Sequence, residues 1–122
     1  MVVDYAVVDA APGQRTDRLF RALADPTRRD IVVRAMADEH SVTALARRYP
    51  MSFAAVQKHV AVLEAAGLVT KRRRGREQLV RGNVEALRDA RLLFDQLEAV
   101  WRGRIERFGE VLADESGEGA NP

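Results

Sequence analysis

The stretch from Thr43 to Arg81 leaves the chain few ways to fold. Two short helical patterns stand on either side of Pro50-Met51, the second stops at Gly67, and two extended, arginine-rich runs follow at once. The first pattern, Ala44 to Tyr49, buries Leu45 and Ala46 if Thr43 caps it. Pro50 ends it, because the residue before a proline is pushed out of helical backbone. Met51 fills the turn, and Ser52 caps the second pattern, Phe53 to Ala66, whose Val56, Val60 and Leu63 share one side. Gly67 is a natural left-handed stop. Beyond it, the runs on either side of an Arg74-Gly75 turn predict a β-hairpin.

The flanks are helical as well. Leu19, Phe20 and Leu23 predict a short helix from about Arg15 to Ala24, and Asp25-Pro26 is a strong start signal for another, Pro26 to about Ala37. In that helix Ile31, Val32, Ala35 and Met36 form one stripe, while Arg28 and Arg29 read as ordinary helix surface. Val42 reads as a buried bead in a very short strand. After the hairpin, a long amphipathic helix is expected from Val84 to Ala113. Its Leu87, Ala90, Phe94, Leu97, Trp101, Phe108 and Val111 fall at three- and four-residue steps, interrupted by Arg104, with Ile105 and Leu112 widening the stripe. Residues 1–14 form an arm, either a strand or a segment that orders on a partner, set off by Pro12-Gly13. Residues 114–122 are polar and glycine-rich, and are expected to be disordered. The domain proper is thus residues 15–113.

With 122 residues and 47% of them hydrophobic, the chain has enough apolar material for one core. It has no cysteine, so disulfides, thiolate metal sites and cysteine nucleophiles are all excluded. Acidic residues interrupt the apolar N-terminus, which argues against a secretory signal, and no run approaches a membrane span; a cytoplasmic protein is expected. The net charge is only +2, but it is unevenly placed. Residues 68–82 carry 6 basic and 1 acidic side chains, whereas residues 83–122 carry 5 basic and 9 acidic. A local polyanion contact and a solvated arginine-rich hairpin both account for that concentration. No nucleophile–base pair, carboxylate pair, phosphate loop or metal set stands at usable spacing, so an enzyme is not expected.

Two helices, a glycine stop and a basic hairpin spell a helix-turn-helix with a wing: mainly α, with a small β-hairpin. A helix that reads DNA needs a rigidly braced side, supplied by Val56, Val60 and Leu63. Its opposite side must fit closely, and here it carries Ala54, Gln57, Lys58 and Ala61. Ser52 leaves an amide-rich helix end available to a phosphate. Arginines of the hairpin then reach neighbouring phosphates or a minor groove. Double-stranded DNA is the expected partner, read through Ser52, Phe53, Ala54, Gln57, Lys58, His59, Arg72, Arg74 and Arg76. Arg73 alternates to the other hairpin face and is set apart. His59 reads as a backbone or phosphate hydrogen-bonding group, and Phe53 as partly packed, with a thymine methyl as its other use. A winged helix that binds protein or RNA is the alternative. The basic hairpin argues against a purely protein partner, and the deep groove of RNA duplexes argues against RNA.

From Arg18 to about Arg81 the chain resembles the ArsR/SmtB family of winged-helix repressors. The resemblance rests on Leu23-Ala24-Asp25-Pro26-Thr27-Arg28 with Ile31, on Val42-Thr43-Ala44-Leu45-Ala46, on Met51 through Val60, and on Leu63-Glu64-Ala65-Ala66-Gly67-Leu68-Val69. It implies a homodimer built from the first and last helices, with Leu19, Leu87, Phe94, Leu97, Trp101, Ile105 and Phe108 at the interface. Two recognition helices would then read an inverted-repeat operator. Metal sensors of the family carry Cys-Val-Cys where this chain has Ser41-Val42-Thr43, and no histidine follows His59 to supply the second family site. The chain therefore resembles the non-metal branch, whose members look like self-regulating repressors. Neither a metal nor another cofactor is expected, and no residue announces a small-molecule effector.

Overall fold

The computed structural model describes residues 12–120, with side chains for 13–114. Its elements run in order α1 (Pro12–Leu23), α2 (Pro26–Ala37), β1 (His40–Ser41), α3 (Val42–Ala46), α4 (Phe53–Ala65), β2 (Val69–Arg74), β3 (Glu77–Gly82), a short 3-10 turn (Val84–Ala86) and α5 (Leu87–Ala120). The backbone separates into two compact units, one ending at Ala90 and the other beginning at Arg91. Residues 1–11 of the expected arm and residues 121–122 of the expected tail lie outside the described residues.

In the first unit, α1 to α4 and the sheet close around Leu19, Ala22, Ile31, Leu45, Val56, Val60, Leu63, Leu68, Val69 and Val80, all buried. Burying a side chain of this size is worth about 1.5–3 kcal/mol, so this cluster is the main term holding the helices together. Local signals position the pieces. Asp25 caps α2, its Oδ2 accepting the Arg28 amide at 2.9 Å, and Pro26 follows where no amide partner is needed. Gly67 adopts φ 79, a left-handed backbone that ends α4 and turns the chain into the sheet.

Several boundaries differ from the sequence reading. Helix α1 begins at Pro12, so Pro12-Gly13 opens a helix instead of breaking an arm from it. Ser41, not Thr43, caps α3, with its Oγ accepting the Ala44 amide at 3.0 Å. Both are capping residue types, but Ser41 already has the extended backbone a cap needs because it pairs with Leu79. Val42 is then the first helical residue, still buried. Helix α3 ends at Ala46; Arg48 and Tyr49 continue only as tightened turns onto the Leu45 and Ala46 carbonyls. The hairpin turn is Gly75-Arg76, one residue later than expected, with Arg74 paired to Glu77 and Gly75 at φ 62. Helix α5 continues to Ala120, past residue 113, and a 3-10 turn precedes it.

The hairpin also gains a third strand. His40 pairs with Val80 and Ser41 with Leu79, giving an antiparallel sheet in the order β1-β3-β2. Gly82 closes this sheet against α2. A Cβ there would lie 2.8 Å from the Met36 Cα, so no larger residue fits without moving helix backbone.

Candidate nucleic-acid interface

Helix α4 is built as a seated rod. Ser52 Oγ accepts the Ala55 amide at 3.0 Å, and Val56, Val60 and Leu63 are fully buried. Ala54, Gln57, Lys58 and Ala61 follow at i, i+3, i+4 and i+7, and all are exposed. Phe53 is 46% exposed, half seated and half offered to solvent. These five residues and Ser52 lie together on the outward part of one helix.

His59 does not join them. It is half-buried, and its Nδ1 stands 3.4 Å from Arg28 Nη1. A guanidinium only donates, so Nδ1 is the acceptor in this contact. Arg28 is itself held by the end of α1, donating from Nε to the Ala22 carbonyl (2.7 Å) and from Nη2 to the Arg21 carbonyl (3.0 Å). Arg29 does the same for Leu23 at 2.8 Å. These two arginines are therefore not plain surface: they donate to carbonyls of the last turn of α1, where helical partners run out. Through His59, Arg28 also braces α4.

A second brace holds the turn before α4. The Tyr49 hydroxyl donates to Asp30 Oδ2 at 2.6 Å, and Arg34 Nε donates to the same oxygen at 2.9 Å. The Tyr49 bond, then Arg34, keep the Asp30 carboxyl below its ordinary range. Burial, then the Asp30 bond, push the Tyr49 hydroxyl up to about 12 from its ordinary 10.0. A raised pKa means that the protonated phenol contributes its stability fully below pH 10 and loses it as pH rises toward 12. Tyr49→Phe should lower the neutral-pH unfolding free energy by about 1 kcal/mol. It should also flatten the alkaline loss, as measured by urea midpoints from neutral pH upward. Equal alkaline loss in both proteins would show that Tyr49 is not its source.

The hairpin adds the basic component. Strand alternation puts Thr70, Arg72, Arg74 and Arg81 on one side of the sheet, and Val69, Lys71, Arg73 and Val80 on the other. Lys71 Nζ reaches Glu64 Oε1 at 3.2 Å, tying β2 to the far end of α4. Arg74 has a long contact with Glu77 at 3.6 Å, and Arg73 and Arg76 are exposed at the tip. Arg72 is paired instead, donating to both oxygens of Glu39. Glu39 carried no signal in the sequence.

The other expected residues divide between the units. Leu19 is 2% exposed within the first unit's own core, and Leu87 packs partly against that core, so Leu19 has almost no surface left for a partner. On α5, Phe94, Leu97, Trp101, Ile105 and Phe108 are all more than half exposed. Arg104, the interruption in that stripe, lies over the Trp101 ring at 5.6 Å. Ser41, Val42 and Thr43 stand where the family's metal sensors carry Cys-Val-Cys. Ser41 is occupied as a cap, Val42 is buried and Thr43 is exposed. No group of three His, Cys, Asp or Glu side chains converges among the described residues, nor is any helix there long and apolar enough to cross a membrane.

Comparison with known proteins agrees with this architecture. A helix-turn-helix domain family model matches residues 23–72. An HTH-type transcriptional regulator of Mycobacterium tuberculosis, Rv2034, is 33% identical over 81% of this chain and 90% of its own length. Among solved structures, an ArsR-like transcriptional regulator from a Rhodococcus species is 33% identical. It covers 80% of this chain and 92% of its own, with a TM-score of 0.69. The homodimeric winged helix-turn-helix DNA-binding domain of a Mycobacterium bovis protein shares the fold at 24% identity. Its TM-score is 0.59, over 84% of this chain and 88% of its own.

Proposed function

Since this chain belongs to the ArsR family of transcriptional regulators and carries a winged helix-turn-helix DNA-binding domain, we propose that it is a homodimeric repressor of an inverted-repeat operator, one that also controls its own gene. The observation that carries this reading is the exposed row Ala54, Gln57, Lys58 and Ala61 on a helix held rigid by three buried side chains. Such a helix enters a major groove with its amino-terminal residues at the base edges, and Ser52 and Phe53 belong to that end. Arg74 and Arg76 meet the backbone beside it. His59 acts from behind, by holding the helix.

Dimerisation through α5 accounts for its exposed stripe from Phe94 to Phe108, since large apolar surfaces of this kind mark interfaces. The homodimeric state of the Mycobacterium bovis relative supports it. Two recognition helices related by a twofold axis then fit half-sites one helical turn apart. Selecting bound fragments from the organism's own genome, with DNase protection of the recovered sites, tests the whole reading. A palindromic footprint that includes the protein's own promoter is expected. Selection of no common sequence, or preference for an RNA duplex of the same sequence in competition, overturns it.

Release from DNA is not driven by soft metals in this reading. Zinc, cadmium or arsenite titrated into an operator-binding assay should leave affinity unchanged, because the family's thiolate positions hold Ser41 and Thr43. Stoichiometric release that a chelator reverses would contradict this.

A further inference from the structure

Arg72 lies on the outer side of the wing with Arg74, yet its guanidinium is already taken. Its Nε and Nη2 donate to Glu39 at 2.9 and 2.8 Å, one bond to each carboxylate oxygen, across 33 positions of sequence. Glu39 stands just before β1, whose pairing of His40 with Val80 anchors that segment to the sheet. The carboxylate is the more enclosed partner, 24% exposed against 57% for Arg72. The Arg72 bonds, with the nearby charges of Arg81 and Arg74, hold the Glu39 carboxyl below the usual carboxylate range. One acid thus sits in the field of three wing arginines.

A carboxylate bound in this two-pronged way occupies the fork that would otherwise grip a phosphate. Ion pairs this exposed contribute little to stability, so holding the fold together is not a sufficient account of it. Phosphate contacts supply affinity for DNA of any sequence and set its salt dependence. We infer that Glu39 is an internal competitor for phosphate: it withholds Arg72 from DNA and so limits the strength of binding without altering sequence choice. Glu39 is then a positioning residue acting through Arg72, and the phosphate contacts of the wing fall to Arg74 and Arg76. This rests on the DNA-binding reading above.

The test measures affinity for the selected operator and for a random duplex of equal length, at several salt concentrations, using the full-length chain. Glu39→Gln keeps the size of the side chain and an acceptor for Arg72 but removes the charge. It should tighten both DNAs together, on the order of tenfold, and steepen the slope of log K against log salt by about 0.9 per freed site, or about 1.8 per dimer. Glu39→Asp, which keeps the charge, should stay near the original slope. Adding Arg72→Ala to Glu39→Gln should return the slope to the original value, because the pair it removes contributed no net charge. Three results overturn the inference: an unchanged slope in Glu39→Gln, a double variant flatter than the unaltered protein by a full contact, or a gain confined to the operator. Arg74→Ala run alongside separates the two layers of argument. If Arg74→Ala flattens the slope while Glu39→Gln is silent, only the role of Glu39 falls. If both are silent, the wing does not meet DNA and the reading beneath falls with it.

Discussion

Trp101→Glu should give a folded chain that is monomeric and no longer binds its operator at concentrations where the unaltered protein does. The side chain is 57% exposed in the protomer, so its loss opens no cavity and the first unit keeps its core. In a dimer joined through α5, the same position is covered by the partner. A carboxylate buried there without a counter-charge costs several kcal/mol. At about 1.4 kcal/mol per tenfold, the dimer dissociation constant rises by roughly a hundredfold or more. Arg104 loses its stacking on Trp101 and gains a neighbouring acid three residues away, an exchange worth only a few tenths of a kcal/mol and far too small to compensate. Analytical ultracentrifugation gives the mass and circular dichroism the helix content. A stable dimer in Trp101→Glu removes α5 from the interface. A chain that unfolds outright would mean that the stripe supports the protomer itself, and Leu97→Ala, a milder truncation, would then have to show monomer formation without unfolding.

How far the fold could be read in advance follows from the range of each interaction. Asp25-Pro26, Ser52 and Gly67 act within a turn of their own helix, and each does in the structure what its chemistry predicts. The buried stripe of α4 is likewise a local period, and Val56, Val60 and Leu63 lie where spacing puts them. The misplaced cap of α3 has a different origin. Ser41 and Thr43 are both capping residue types, and what sets Ser41 in the extended backbone of a cap is a two-residue strand pairing with Leu79, a contact nearly forty residues away in sequence. The site shows the same division. The outward row of α4 is legible from periodicity, whereas the occupation of Arg72 by Glu39 and the bracing of His59 by Arg28 depend on tertiary neighbours. Arg28 and Arg29 were the nearest to a missed local signal. Basic residues shortly after a helix end are placed to reach its last carbonyls, and here they do, six to seven positions back.

Helix α4 and the wing should fail differently when each loses one side chain. Gln57 is exposed on the row that faces away from Val56 and Val60, where base edges would lie in a major groove. A bidentate contact from such an amide carries about 1–3 kcal/mol of discrimination between bases, and being uncharged it releases no counterion. Gln57→Ala is therefore expected to narrow the gap between operator and random DNA by about fivefold to a hundredfold, with little change in salt slope. Arg74 is charged, exposed and only loosely engaged by Glu77 at 3.6 Å, so little holds it back from a phosphate. Arg74→Ala should weaken both DNAs by a similar factor and reduce the slope by about 0.9 per site, or about 1.8 across the dimer. Affinities for both duplexes at several salt concentrations decide between the roles. Selective loss of the operator in Arg74→Ala would mean that the wing tip enters a minor groove and reads its width, where arginine is favoured by the deeper negative potential. A salt slope that falls in Gln57→Ala would instead mean that this end of α4 lies along the backbone, and the base-reading role would then pass to another part of the helix.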